Sequence, residues 1–298
     1  MADVYRKSAT SSIASERAEV RRGRFVALLG ASCFARPIVV EAASRDELVW
    51  YAGDLDGART FSNGADRVLP AASVIKLLIA RTLVDAVSSG QLSLDTRVPL
   101  NLRDRVGGSG RYGATPPGRY RVAELLGAML SLSDNTASNV LLHYLGAERC
   151  NRRAAASGFT ATRIRRSFYD WEARRRGLEN TTTTRESALL LVELARRAQV
   201  RGRDGEVARA TMRALLAQTD RETIPAALPR RSAIANKTGE LPGIRNDVAI
   251  VGYGRPGAYV VSVMDRYRAT RTAAIERIRA LVATLDRRLE QSPAITRS

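Results

Sequence analysis

Strand-type segments stand at both ends of this chain, and helical segments fill the stretch between them. Near the front, Leu48-Val49-Trp50-Tyr51-Ala52 runs into turn residues Gly53 to Gly57 and returns through Arg59-Thr60-Phe61-Ser62, which predicts a hairpin. Past Pro229, three further β-type runs cover 232–239, 247–253 and 258–264, and an amphipathic helix is expected over 269–289. Strands that bury one face need partners, so the two ends are expected to share one antiparallel sheet flanked by helices, with an all-α domain inserted between them. The expected class is α+β. Its boundaries are 1–44 for an N-terminal segment, 45–72 with 229–298 for the sheet domain, and 73–228 for the helical domain.

Within the insert, an apolar run carries from Ser73 to Val87 with Gly90 as its stop. Residues 96–117 read as loop, dense in Gly and Pro. Helices are expected over 122–130, from the Ser133 region onward, over 186–198 and over 206–218. The arginine-rich loop 160–184 ends in four threonines, Thr181 to Thr184, which offer an N-cap for the helix after them. At the N-terminus, Arg21-Arg22-Gly23-Arg24 precedes an apolar stretch that ends at Arg36-Pro37. It is too short to span a bilayer and fits the apolar part of an export signal within 21–36, or else a first strand or helix of the domain. The first alternative implies export to the periplasm, envelope or medium, the second a cytoplasmic chain.

Lys and Arg number 48 against 30 Asp and Glu, a formal net charge of +18. Such a balance ordinarily suggests nucleic acid. Here the arginines are scattered over almost every segment, aromatic residues are only 5%, and no zinc-ligand spacing occurs, so a solvated basic surface is expected instead. Two cysteines, Cys33 and Cys150, make no disulfide framework. His143, the one histidine, sits on a helical pattern and is expected to be a half-buried packing residue. With no second histidine to serve as base, Ser-His-Asp catalysis is disfavoured. No metal or cofactor is expected.

Of the 48 basic residues only Lys7, Lys76 and Lys237 are lysines. Arginine cannot lose its proton at workable pH, whereas lysine can. Lys76 follows Ser73 by three residues at the start of the apolar run, so on a helix the two share a face. A hydroxyl becomes a nucleophile when a neighbouring base takes its proton, and a lysine of lowered pKa can be that base. In isolation the same spacing describes a capping serine and an exposed lysine.

Two further groupings carry chemistry. In Ser133-Asp134-Asn135 the hydroxyl could relay a proton to a leaving group, and the Asn135 amide could hold a substrate carbonyl. An ordinary capped helix start has the same composition. In Lys237-Thr238-Gly239, on an apparent strand, Gly239 permits close approach of a substrate to the strand edge, while Lys237, Thr238 and the later Arg245 supply donors and charge for a carboxylate-bearing substrate; in isolation the motif reads as a surface lysine before a turn.

Taken in order on helix, loop and strand, these three motifs resemble the penicillin-recognising serine enzymes, the class A β-lactamases and penicillin-binding proteins. Ser133 to Asn139 and Arg245-Asn246-Asp247 are similar to the class A branch. The resemblance implies that Ser73 is acylated, that Lys76 helps deprotonate it and that Ser133 passes the proton to the leaving nitrogen. It implies too that Asn135 holds the substrate amide, and that Lys237, Thr238 and Arg245 bind its carboxylate. The backbone N–H groups of Ser73 and Glu240 would form the oxyanion hole, and Tyr112 would flank the mouth. The substrate would be a β-lactam or D-alanyl peptide; no nucleic-acid partner and no stable membrane span are expected, and the protein is expected to be a monomer.

One departure stands out. Class A enzymes carry a glutamate four residues before an asparagine in the loop ahead of the threonines, and the pair positions the hydrolytic water. Ungapped counting puts Phe168 at that glutamate and Glu172 at that asparagine. A phenyl ring cannot take a proton from water. Either Glu172 supplies the base from the other position and lactams are hydrolysed, or the acyl-enzyme lasts, as in a penicillin-binding protein, D-alanyl-peptidase, esterase-like transferase or lactam-binding sensor. Otherwise Trp171-Glu172-Ala173-Arg174 is a salt-bridged turn.

Overall fold

The computed structural model describes residues 46–291. The expected export signal, and Cys33 with it, lies outside them.

The front hairpin forms as expected, β1 (Glu47–Asp54) returning as β2 (Thr60–Asn63). The three C-terminal strands are β7 (Ala235–Leu241), β8 (Ile244–Val251) and β9 (Tyr259–Arg266), and the sheet order is β2-β1-β9-β8-β7, all antiparallel. Pairing of β1 with β9, Trp50 opposite Val263, closes the two chain ends into one sheet.

Side chains alternate between faces along a strand. Val248 and Ile250 of β8 and Val260 of β9 therefore enter the large core shared with the helices, while Ala249, Val251, Val261 and Val263 enter a second one. The second is closed by α8 (Ile224–Ala227) and α9 (Arg271–Gln291) through Ile224, Ile278, Val282 and Leu285. With both faces covered, β8 is buried along its whole length, which is why it reads as an unbroken apolar run after Asp247.

The insert begins with β3 (Leu69–Pro70) and a single 3-10 turn, Ala72–Ile75, before α1 (Lys76–Ser88). Mostly apolar, α1 is buried along its length except at Asp85 and Ser88. Its Arg81, 1% exposed, is neutralised by Asp85 and by Glu193 at 2.7 Å. The stretch expected to be loop holds a small ribbon, β4 (Arg97–Leu100) with β5 (Gly118–Arg121). Then come α2 (Val122–Ser131), α3 (Asn135–Leu145), α4 (Ala147–Ala156), the short α5 (Trp171–Arg175) and β6 (Thr181–Thr182), which pairs with β3. Thr183 caps α6 (Thr184–Ala198), accepting from Glu186 N at 3.0 Å, and α7 (Arg203–Leu216) completes the insert. The sheet and the helical insert share the large core, so the two expected domains are packed as one body. Among the described residues no helix is long and apolar enough to cross a membrane.

Candidate active site

Ser73 opens onto a cavity of about 640 Å³ between the 3-10 turn, the start of α3, the loop before α5 and strand β7. The turn is tied down from two sides. Asn246 Nδ2 of β8 donates to Pro70 O at 2.9 Å, and Ala71 N donates to Asn180 O at 2.8 Å. Ala72 holds φ +48°, a left-handed conformation that L-residues adopt at a cost of roughly 1–3 kcal/mol. Gly239 of β7 lies against this turn: a Cβ there would sit 3.0 Å from Ser73 N, Ala71 O and Ala72 Cβ alike. A methyl there would require the turn or the strand to give by a few tenths of an ångström, so the close approach that Gly239 permits is taken up by the protein's own Ser73 turn and not by a substrate. Ser73 is the second residue of its turn, so its backbone N–H is one that a helical start leaves without an intrahelical partner.

Lys76, fully buried, spends its donors on the second motif. Its Nζ reaches Ser133 O at 2.6 Å, Ser133 Oγ at 3.1 Å and Asn135 Oδ1 at 3.0 Å. Ser133 takes φ +55°, and the bond to its carbonyl holds that turn. Asp134 caps α3 at Ala137 N and draws in the glycine-rich loop through Arg111 N and Tyr112 N. From the other side, Lys237 Nζ also lies 3.1 Å from Ser133 Oγ and donates to Thr238 O at 2.8 Å. One hydroxyl thus bridges two amines.

Both amines are made easier to deprotonate. Burial pushes the Lys76 ammonium well below the usual lysine value, and the nearby Lys237 charge adds to this against the weaker pull of Asp134. Burial also drives Lys237 down, to about 8, against the attraction of Asp220 and Asp247. A neutral Lys76 can accept the Ser133 proton while Lys237 still donates to the same oxygen, so the string Lys76–Ser133–Lys237 can pass a proton along.

Ser73, Ser133, Asn135, Thr238, Gly239 and Glu240 all border the cavity, with Lys76 and Lys237 buried behind Ser133. Three expectations need correction. The Glu172 side chain is 69% exposed on the outer side of α5 and pairs with Arg176 one turn on, at 3.0 Å, so it offers the cavity no carboxylate; the segment is the salt-bridged turn. Tyr112, 4% exposed, is packed edge-on against Tyr120 in the core, and it is Tyr169 and Trp171 that border the cavity. Arg245, 1% exposed, is enclosed by acids and contributes no cavity surface.

Phe168 borders the cavity, and its ring centroid lies 4.8 Å from Lys76 Nζ. Asn139 grips its backbone at both ends, Oδ1 accepting from Phe168 N at 2.8 Å and Nδ2 donating to Phe168 O at 3.2 Å. The preceding residue is held by His143, whose Nε2 lies 2.9 Å from Ser167 Oγ while Nδ1 meets the buried Asp104 at 2.6 Å. His143 and Ser167 border a separate depression whose lining does not include Ser73. Asn139 lies within the class-A-like stretch, yet nothing in its spacing reveals the loop it grips. Asp220, a second residue the motifs missed, borders the cavity next to Thr238 from an unmarked turn after α7.

A family model for the β-lactamase enzyme family matches residues 35–288, nearly all of the described chain, and the protein belongs to this family. D-alanyl-D-alanine carboxypeptidase DacB2 of Mycobacterium tuberculosis is 31% identical over 119 residues, 38% of this chain and 39% of that protein. Beta-lactamase OXY-2 of Klebsiella oxytoca is 28% identical over 183 residues, 60% of this chain and 62% of its own. Less than two thirds of either relative is thus matched. Among solved structures, PBP-A superposes with TM-score 0.74 at 24% identity, covering 85% of this chain and 93% of its own. A β-lactamase from Sphaerobacter thermophilus superposes with TM-score 0.71 at 25% identity over 83% and 93%. The expected fold is the one these neighbours share.

Proposed function

We propose that this member of the β-lactamase enzyme family is a serine acyl-transfer enzyme that opens β-lactam or related acyl amides through Ser73 and releases the acyl group slowly. The observation that carries the reading is the Ser133 hydroxyl, 3.1 Å from both Lys76 and Lys237 at the cavity that Ser73 borders. By family resemblance, neutral Lys76, whose resting bonds go to Ser133 and Asn135, takes the Ser73 proton as Oγ adds to the carbonyl carbon. As the C–N bond breaks, the nitrogen takes the Ser133 proton, and Ser133 is reprotonated from Lys76. The sum is a Ser73 ester and an amine bearing the proton Ser73 lost. The Ser73 N–H, with that of Glu240 by family resemblance, would meet the developing oxyanion.

Release requires water to add to the ester and a base to take its proton. Where class A relatives carry a glutamate, Phe168 presents a ring, and Glu172 faces solvent on Arg176. This supports a persistent acyl-enzyme over efficient lactam hydrolysis. The test is single-turnover kinetics with a chromogenic cephalosporin, followed by intact-protein mass spectrometry. A stoichiometric burst with a mass increase on Ser73 and little steady turnover is expected. A burst-free, fast steady rate would overturn slow release, and an unshifted mass with every lactam tried would overturn acylation itself.

A further inference from the structure

The corner of the cavity beyond Thr238 is where a carboxylate on the leaving side of the substrate would arrive. Arg245 on β8, opposite Glu240 in the β7–β8 register, should be the cation that greets it. Instead its guanidinium is already spent. Nη1 donates to Glu240 at 2.7 Å and Nη2 to Asp220 at 2.8 Å, with Glu222 at 3.7 Å, and the group is 1% exposed. The surfaces turned toward the cavity are those of Asp220 and Glu240. Asp220 and Thr238 border the cavity together. Burial alone would raise its pKa, but the Arg245 and Thr238 contacts outweigh that and hold it below the usual aspartate value, so Asp220 is ionised at neutral pH.

Arg271 joins Glu240 at 2.9 Å and also pairs with Glu222, so both arginines of this corner are committed to its three acids, Asp220, Glu222 and Glu240. An incoming carboxylate would meet two of its own kind, Asp220 and Glu240, at the wall. We propose that Asp220 is a built-in carboxylate that, beside Thr238, occupies the Arg245 donor, so that the substrate of this site presents an uncharged ester or peptide amide, not a free carboxylate, at this end of the cleft. The proposal rests on the reading that Ser73 is acylated.

The test is a matched pair, benzylpenicillin and its methyl ester, with the second-order rate of Ser73 acylation read by intact-protein mass for the wild type and for Asp220→Asn. The wild type is expected to react about tenfold or more faster with the ester, and Asp220→Asn to shrink that ratio by about tenfold as Arg245 is freed, each factor of ten being about 1.4 kcal/mol. Equal or faster reaction with the free acid in the wild type overturns the proposal while leaving the acyl-serine reading intact. A wild type inert to both compounds overturns that reading and this proposal with it. If Asp220→Asn does not fold, Asp220→Ala and the wild-type ratio decide the matter.

Discussion

Replacing Lys237 by methionine should make the protein more stable near neutral pH while disabling it. The ammonium is fully buried, and its pKa falls from 10.5 to about 8. The fall from 10.5 to about 8 means that keeping the charge in the folded protein costs about 3 kcal/mol. Because the folded pKa is depressed, the penalty is complete below pH about 8, shrinks as pH rises, and is gone above the unfolded value of 10.5. Methionine removes it and also the bonds to Ser133 Oγ and Thr238 O, worth about 1 kcal/mol each. The net is a gain of roughly 1 kcal/mol at pH 6.5 and a loss of roughly 2 at pH 10.5. Losing the Lys237 charge also lets Lys76 ionise more readily, which adds to the gain at low pH. Urea unfolding of both proteins across pH 6 to 10.5 reads the difference. A Lys237→Met protein less stable than wild type by the same amount at every pH would show that the buried charge carries no such penalty.

Three other substitutions probe the site. Glu172→Gln should leave acylation and turnover unchanged and lower stability by no more than about 0.5 kcal/mol, since an exposed pair one helical turn apart contributes little; a lost steady rate in lactam assays would return Glu172 to the chemistry. Gly239→Ala pushes a methyl onto the Ser73 turn and should cost about 1–3 kcal/mol by thermal melting, with slower acylation in burst assays; an unaffected rate would mean that β7 has room to retreat. Asn139→Ala removes both bonds on the Phe168 backbone and should cost about 2–3 kcal/mol, with faster hydrogen exchange at Phe168 by mass spectrometry; unchanged protection there would assign the hold to other contacts.

The order of strands and helices was legible because it rests on local periodicity, and so were the motif residues whose neighbours in space are neighbours in sequence. Thr183 was foreseeable as a cap for the same reason. What escaped depends on distant partners. β3 pairs with β6 across more than 100 positions, and two-residue strands carry no periodicity of their own. Counting along the chain pointed to Glu172, but the orientation of the five-residue α5 is set by its Asp170 cap and its packing, which turn that face outward. Tyr112 is drawn inward because Asp134 anchors its backbone. Arg245 was read for its charge, and only the fold reveals that Asp220, from a separate turn, has claimed it.

The hydrogen of Gly239 is all that separates the edge of the sheet from the nucleophile's turn. The placing of Ser73 therefore shares its tolerance with β7, one of the sheet's two edge strands, each with a neighbour on a single side. Warming should loosen that strand before the helical interior gives way, so chemical competence ought to fade while most of the helical signal in circular dichroism is still intact.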